Sequence, residues 1–330
     1  MRNAATTLAF AGVGLAMSAP FILGVHAVLA GLRSIRWDVF LILAASTAVS
    51  AAAKAGKLQL MQQALGLRLH FARTFAITVI TDSAFLISPL GAAGYGVNMG
   101  LLQRAGAPWA TATTVVAADQ ALDLTFFAIA VPIALLLALG PLAQITPKLN
   151  HPLVLASLAG VVLLAGIAWA CRGRVTGILN SLGQRIAWIK SRRVRLAEFL
   201  RNVRRQFALL ITGPLWRFIA LLMLTTLQWM LRYSALWFIL LRLGHRLPLG
   251  FVLAVQAVVL HAALWTGVPA GGGGGDLGLA AAFAHWVPWT DMATALVLWR
   301  FATLYCPLLL GAAGLAALAW RRRAKTAALE

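Results

Sequence analysis

Seven ionisable side chains stand inside stretches that are otherwise apolar: Asp82, Asp119, Asp123, Arg232, His261, Asp276 and Arg300. Four are aspartates, in a chain with only eight acidic residues. A charge at the centre of a membrane helix costs about 2.5–3.5 kcal/mol on insertion scales, so such groups face a protein interior or a cavity. Asp119 and Asp123 are four residues apart and share one helical face. Two kinds of chemistry suit this set. One is an internal salt-bridge network that holds the helices together; the other is contact with a polar substrate or a coupling proton. His261 reads first as a satisfied polar packing residue and second as a proton relay.

Other chemistries find less support. Gly273, Gly275 and Gly278 satisfy a glycine-rich nucleotide fingerprint formally, but no strand precedes them and no Lys-Ser/Thr pair follows. Cys171 and Cys306 make neither a disulfide framework nor a metal site. No spaced aspartate cluster suggests a metal–diphosphate site. The expectation is a protein without metal or cofactor, and not an enzyme.

The elements that would position these charges follow from composition. Of 330 residues 61% are hydrophobic and 11% charged, against roughly 45–50% and about 25% in soluble domains. The net charge of +20 does not point to nucleic acid, because the basic residues gather at the ends of apolar runs. They cluster from Arg172 to Arg217 and again at Arg321, Arg322, Arg323 and Lys325, as in cytoplasmic loops. The fold class expected is an all-α polytopic membrane protein. Spans of about 20 apolar residues fall at about 4–30, 38–56, 109–139, 151–171, 214–241 and 290–320. The first run exceeds a signal-peptide core and is read as a retained helix within 1–37. Lys54, Lys57, Arg68 and Arg73 are read as following the second span on its cytoplasmic side. Six crossings place both termini in the cytoplasm.

Two segments, 74–103 and 249–286, do not fit as plain crossings. Each is an apolar helix, a Pro/Gly break and a shorter apolar piece, which is the pattern of a re-entrant hairpin. "SPLGAAGYG" (88–96) and "VPAGGGGGD" (268–276) align at an offset of 180. Pro89 matches Pro269, Gly91 matches Gly271, and Gly94 matches Gly274, with Gly273 in the same glycine run. Without a gap, Pro108, Trp109 and Thr114 then fall over Pro288, Trp289 and Thr294. The two tryptophans read as interfacial anchors. Residues 38–139 and 214–320 thus form two repeats of opposite orientation, an arrangement that places a substrate site near the midplane. At that depth Asp119, Asp123 and Arg300 would converge, offering both signs of charge to a headgroup or pairing when it is absent. The basic segment 172–213 alternates arginines with apolar residues and reads as a helix lying among anionic headgroups.

The stretches "LLQRAGAPWATATTVVAADQALD" (101–123) and "LWRFATLYCPLLLGAAG" (298–314), with the Pro/Gly breaks, resemble the lysylphosphatidylglycerol synthase transmembrane-region family. The resemblance covers roughly residues 35–320 and implies a role in moving or handling lipids in the bacterial inner membrane. Where members often carry Glu-Arg-x-x-Asp, this chain has Asp119-Gln120-Ala121-Leu122-Asp123, keeping the acid pair in type and losing the arginine. Arg300, Tyr305 and Pro307 match the second pattern. No stretch here is polar enough to form the soluble aminoacyl-transfer domain of the bifunctional members.

The expected function is a lipid translocase moving a polar-headgroup lipid between leaflets, passively or ion-coupled since no ATPase motif is present. The expected partners are membrane lipids with anionic or zwitterionic headgroups, with homo-oligomerisation left open. The alternatives are a membrane-embedded transferase acting on a lipid-linked substrate and a non-catalytic assembly factor.

Overall fold

The structure is a computed structural model that describes residues 35–138, 193–264 and 272–327, with positions 14, 29, 31–33 and 268 besides. The expected spans at 4–30 and 151–171 lie almost wholly outside the described residues. So do Pro269, Gly271 and most of the basic segment before Arg193. The described residues form helices and no strand, as an all-α membrane protein requires.

Among the described residues from Trp37 on, ten helices follow in order: α1 (Trp37–Ala64), α2 (Phe71–Ile87), α3 (Ala92–Arg104), α4 (Trp109–Leu137), α5 (Arg193–Ile211), α6 (Leu215–Arg242), α7 (Leu249–Leu264), α8 (Gly274–Phe283), α9 (Trp289–Arg300) and α10 (Cys306–Ala327). A 3₁₀ turn (Pro89–Gly91) joins α2 to α3, and a π turn (Phe301–Tyr305) joins α9 to α10. Among the described residues four continuous helical stretches are long and apolar enough to cross a membrane: Trp37–Ala64, Trp109–Leu137, Leu215–Arg242 and Trp289–Trp320. Their boundaries follow sequence chemistry. Pro108 and Pro288 are the N-cap residues of α4 and α9 and are each followed by an exposed tryptophan. Proline suits a helix start, where its missing N–H breaks no bond. The π turn ends two residues before Pro307, whose ring would crowd the carbonyl one turn earlier in a regular helix.

Both broken helices double back on themselves. At the open end of the first, the Arg73 guanidinium donates to the Arg104 carbonyl at 3.3 Å. At its tip, Phe85 meets Tyr95 edge-on with centroids 4.8 Å apart. The tip is tight: a Cβ on Gly94 would lie 2.3 Å from the Phe85 ring. Leu90 and Gly91 both take positive φ there, 53° and 70°, a conformation that costs a leucine energy and a glycine almost none. In the second, Phe251 near the start of α7 packs on Phe283 near the end of α8 at 5.7 Å. Gly273, at φ 72°, turns the chain into α8.

The first helix after each start, α1 and α6, run antiparallel in contact. The Asp38 carboxylate is beside Arg242 at 3.1 Å, the Ser46 hydroxyl donates to the Leu231 carbonyl at 3.3 Å, and Ser50 donates to that of Gln228 at 2.9 Å. The other contacts are reciprocal. α2 packs on α10, where Gly311 lies against Ser83 and Gly314 against Val79. α7 packs on α4, where Gly250 lies against Leu137 and His261 against Phe127. Small residues permit this close approach of helices.

Among the described residues two large apolar cores result. One, at the end that holds α5, joins Leu58, Met61, Ile77, Leu102 and Val115, with Phe207 of α5 against it. The other, at the opposite end, joins Leu236, Leu240, Phe251, Phe283 and Leu296. Element starts do not keep one offset: Leu215 follows Trp37 by 178 residues, Gly274 follows Ala92 by 182 and Trp289 follows Trp109 by 180. The residue that turns into α8 with positive φ, as Gly91 does into α3, is therefore Gly273. The ungapped alignment had matched Gly91 with Gly271.

One sequence expectation is corrected. α1 runs to Ala64 and contains Lys54 and Lys57, both buried, whereas the sequence reading ended this span near 56 and assigned both lysines to its cytoplasmic end. Carboxylates from two other helices receive these ammonium groups, which lets both lysines stay buried within the helix.

Candidate functional site in the charged cavity

A cavity of about 310 Å³ opens between the two cores. Ser88, Leu90 and Gly91, at the tip of the first broken helix, line it, as does Val268 in the second break. Lys54 of α1, Asp82 of α2, Asp123 of α4, Arg232 of α6, His261 of α7 and Arg300 of α9 reach its wall. Helices from both parts of the chain therefore contribute charge to one space.

Most of these charges are compensated. Lys54 Nζ is 2.5 Å from Asp82 Oδ1. Lys57 Nζ sits between two carboxylates, 2.6 Å from Asp119 Oδ1 and 2.7 Å from Asp123 Oδ1, and its side chain is 0% exposed. The Trp229 indole N–H also donates to Asp123 Oδ1, at 3.0 Å. Arg300 grips Asp276 with two bonds, Nε to Oδ1 at 2.8 Å and Nη2 to Oδ2 at 2.7 Å. Asp276 Oδ2 accepts the Gly273 backbone N–H as well, at 3.1 Å, so one carboxylate both caps α8 and anchors α9. Such pairing offsets burial, because a lone charge held away from water is costly.

Arg232 differs. Its guanidinium lies 5.7 Å from the Trp229 ring centroid, and among the described residues no carboxylate pairs with it. With Asp82 and Thr303 it also lines an adjoining polar pocket of about 30 Å³ among Ser46, Thr47 and Ser50, room for about one water. His261 is partnered locally: Nδ1 lies 2.6 Å from the Ala257 carbonyl, and its ring is against Phe127 at 4.9 Å. It touches no carboxylate among the described residues.

Five of the seven charged residues singled out in the sequence line this cavity: Asp82, Asp123, Arg232, His261 and Arg300. Asp119 and Asp276 stand behind it as partners of Lys57 and Arg300. The expected convergence of Asp119 with Arg300 as a pair is not what forms. Each takes another partner, because Asp276 and Lys57 are nearer on their own sides of the cavity. Sequence reading missed Lys54 and Lys57; their signal was two lysines three apart on the face that carries Ser46 and Ser50, within helical reach of the following apolar run. Gln120, where the family pattern has arginine, also lines the cavity and accepts a hydrogen bond from the Tyr95 hydroxyl at 3.1 Å. The cavity's cations come from α1, α6 and α9 instead.

Among the described residues no group of His, Cys, Asp or Glu is arranged to hold a metal ion. What the arrangement can do is receive a charged or dipolar group beside an apolar wall of Phe85, Leu86 and Leu260.

No curated protein matches the chain. The profile of the family described as "Lysylphosphatidylglycerol synthase TM region" matches residues 9–311, which covers both cores and the whole cavity. The chain therefore belongs to the lysylphosphatidylglycerol synthase transmembrane-region family, as a multi-pass α-helical membrane protein of a family that acts on lipids.

Proposed function

We propose that the protein translocates a polar-headgroup lipid between the leaflets of the bacterial cytoplasmic membrane, with both termini in the cytoplasm. The observation that carries this reading is the cavity itself. It holds an arginine with no carboxylate partner among the described residues, and it is lined by the tip of one hairpin and the break of another, entering from opposite ends. A translocase must shelter a headgroup from hydrocarbon while acyl chains stay in the bilayer. The charged side of the cavity serves the first need and its apolar wall the second.

Inverted repeats are the second part of the reading. The antiparallel packing of α1 on α6, and the reciprocal packing of each broken helix on the last helix of the other set, support two halves of opposite orientation with re-entrant hairpins. The arginines of α5 support a cytoplasmic position for the end that holds α2 and α3, by the positive-inside rule. The end that holds α7 and α8 then faces outward. In a background lacking Cys171 and Cys306, cysteines at Arg104 and at exposed His285 are expected to react with impermeant maleimide from the cytoplasmic and the outer side respectively. Reaction of both from one side removes the inverted arrangement.

Translocation itself is tested in vesicles containing the purified protein and a fluorescent phospholipid, with dithionite reporting lipid that reaches the outer leaflet. The expected result is transfer well above protein-free vesicles. Arg232→Gln should slow it by about tenfold or more, the scale of one lost charge-assisted contact of about 1.5–3 kcal/mol. Transfer no faster than in empty vesicles defeats the proposal. A new covalent lipid species by mass spectrometry would replace it with a transferase.

A further inference from the structure

The charges around the cavity do not balance locally. Lys54 matches Asp82, and Arg300 matches Asp276. Lys57, however, faces two carboxylates, so by formal charge the Asp119–Asp123 pair carries one negative charge more than Lys57 offsets. Arg232 supplies one positive charge in excess. These two surplus charges do not form an ion pair with each other. Both are held by the same indole: the Arg232 guanidinium lies over the Trp229 ring, and Asp123 Oδ1 accepts the Trp229 N–H. The cavity thus has one positive and one negative pole, and the indole contacts both.

From this we propose that the cavity selects a zwitterionic headgroup, with its phosphate on Arg232 and its ammonium on Asp123. The inference rests on the translocase reading for calling the ligand a lipid, and deepens it by naming the charge class. Asp123 is suited to the cationic end. Both protein hydrogen bonds to it end on Oδ1, and among the described residues Oδ2 accepts none. Asp123 itself borders the cavity. Beside it, Phe127 gathers Trp229 at 4.7 Å, Tyr233 at 5.6 Å and His261 at 4.9 Å between ring centroids. All four rings line the cavity, and aromatic faces attract ammonium groups. Arg232 offers a planar fork of donors suited to phosphate oxygens. A purely anionic headgroup would be repelled by the surplus carboxylate, and a purely cationic one by Arg232. Discrimination therefore comes from repulsion as well as attraction.

The same phosphate–ammonium chemistry occurs in a lipid headgroup and in a free water-soluble zwitterion, so the test carries both. The full-length protein in detergent is titrated with dihexanoyl phosphatidylethanolamine, dihexanoyl phosphatidylglycerol, hexyltrimethylammonium and glycerophosphoethanolamine, following tryptophan fluorescence. The wild-type protein is expected to bind the zwitterionic lipid about tenfold more tightly than either singly charged amphiphile. Asp123→Asn should erase its advantage over the anionic lipid, and Arg232→Gln its advantage over the cationic amphiphile. Equal wild-type affinity for zwitterionic and anionic lipid overturns the proposal, and that comparison needs no variant to fold. Glycerophosphoethanolamine binding as tightly as the short-chain lipid upholds the two poles and counts against a lipid ligand. Zwitterion preference without translocation in vesicles upholds this site and defeats the transport reading; translocation without preference does the reverse.

Discussion

Lys57→Met is expected to abolish recovery of a monodisperse protein. Its ammonium is the contact that holds Asp119 and Asp123 at 2.6 and 2.7 Å, in a site where Lys57 has no exposure. Removing one partner of a buried ion pair costs about 3–5 kcal/mol, because the remaining charge has lost its compensation and cannot reach water. Here two carboxylates are left. The charge count makes the prediction asymmetric. Asp119→Asn leaves Lys57 with one carboxylate, a matched pair, and should change thermal stability little. The triple variant Lys57→Met/Asp119→Asn/Asp123→Asn carries no stranded charge and should fold again. Size-exclusion chromatography and thermal melts of the four proteins decide the matter. A Lys57→Met protein as stable as wild type would mean that the three groups do not form this cluster.

The second large effect concerns Arg300 and Asp276. Arg300 is 2% exposed and Asp276 0%, and two parallel hydrogen bonds join them. Arg300→Met leaves a carboxylate buried at the start of α8, again at about 3–5 kcal/mol. Asp276→Asn is expected to be damaging for a further reason, since the carboxylate also holds the Gly273 N–H where the chain turns into α8. The double variant Asp276→Asn/Arg300→Met should regain much of the stability lost by Arg300→Met alone. Because Arg300 lines the cavity and Asp276 does not, that variant should still translocate lipid poorly. Full transport in the double variant would make Arg300 purely structural. A related contrast checks the pairing itself: the effects of Asp119→Asn and Arg300→Gln should simply add, as expected for groups with separate partners.

The hairpins show how much of this was legible beforehand. A proline followed by glycines inside an apolar run cannot continue a helix in hydrocarbon, where each backbone polar group needs a partner. The breaks at 88–91 and before 274, and the helix starts at Pro108-Trp109 and Pro288-Trp289, were therefore readable from residue type. The register between the two sets was less so. Inserting or deleting a residue in a break changes the offset without changing the composition, and Gly271 was matched to Gly91 for that reason.

The charged site divides in the same way. Acidic residues are so rare in this chain that their presence in apolar runs was itself the signal, and five of the seven charged positions singled out reach one cavity. Lys54 and Lys57 escaped because hydropathy scores a charge by its own cost and takes no account of its partner. With Asp82, 28 residues along the chain, and Asp123, 66 residues along, those lysines belong inside the helix rather than after it.

Sequence by itself determined that the chain is helical and built for a membrane, where its helices break, and which carboxylates must be sheltered. These follow from local quantities: transfer free energy per residue, the conformational limits of proline and glycine, and the cost of an unpaired charge in hydrocarbon. Only the tertiary structure decided which cation meets which carboxylate, and left Arg232 and one carboxylate of the Asp119–Asp123 pair in surplus on either side of Trp229. An ion pair depends on distances of a few ångströms between helices far apart in the chain. Those distances are set by how glycines and small side chains let α2 approach α10 and α7 approach α4, which no single segment encodes.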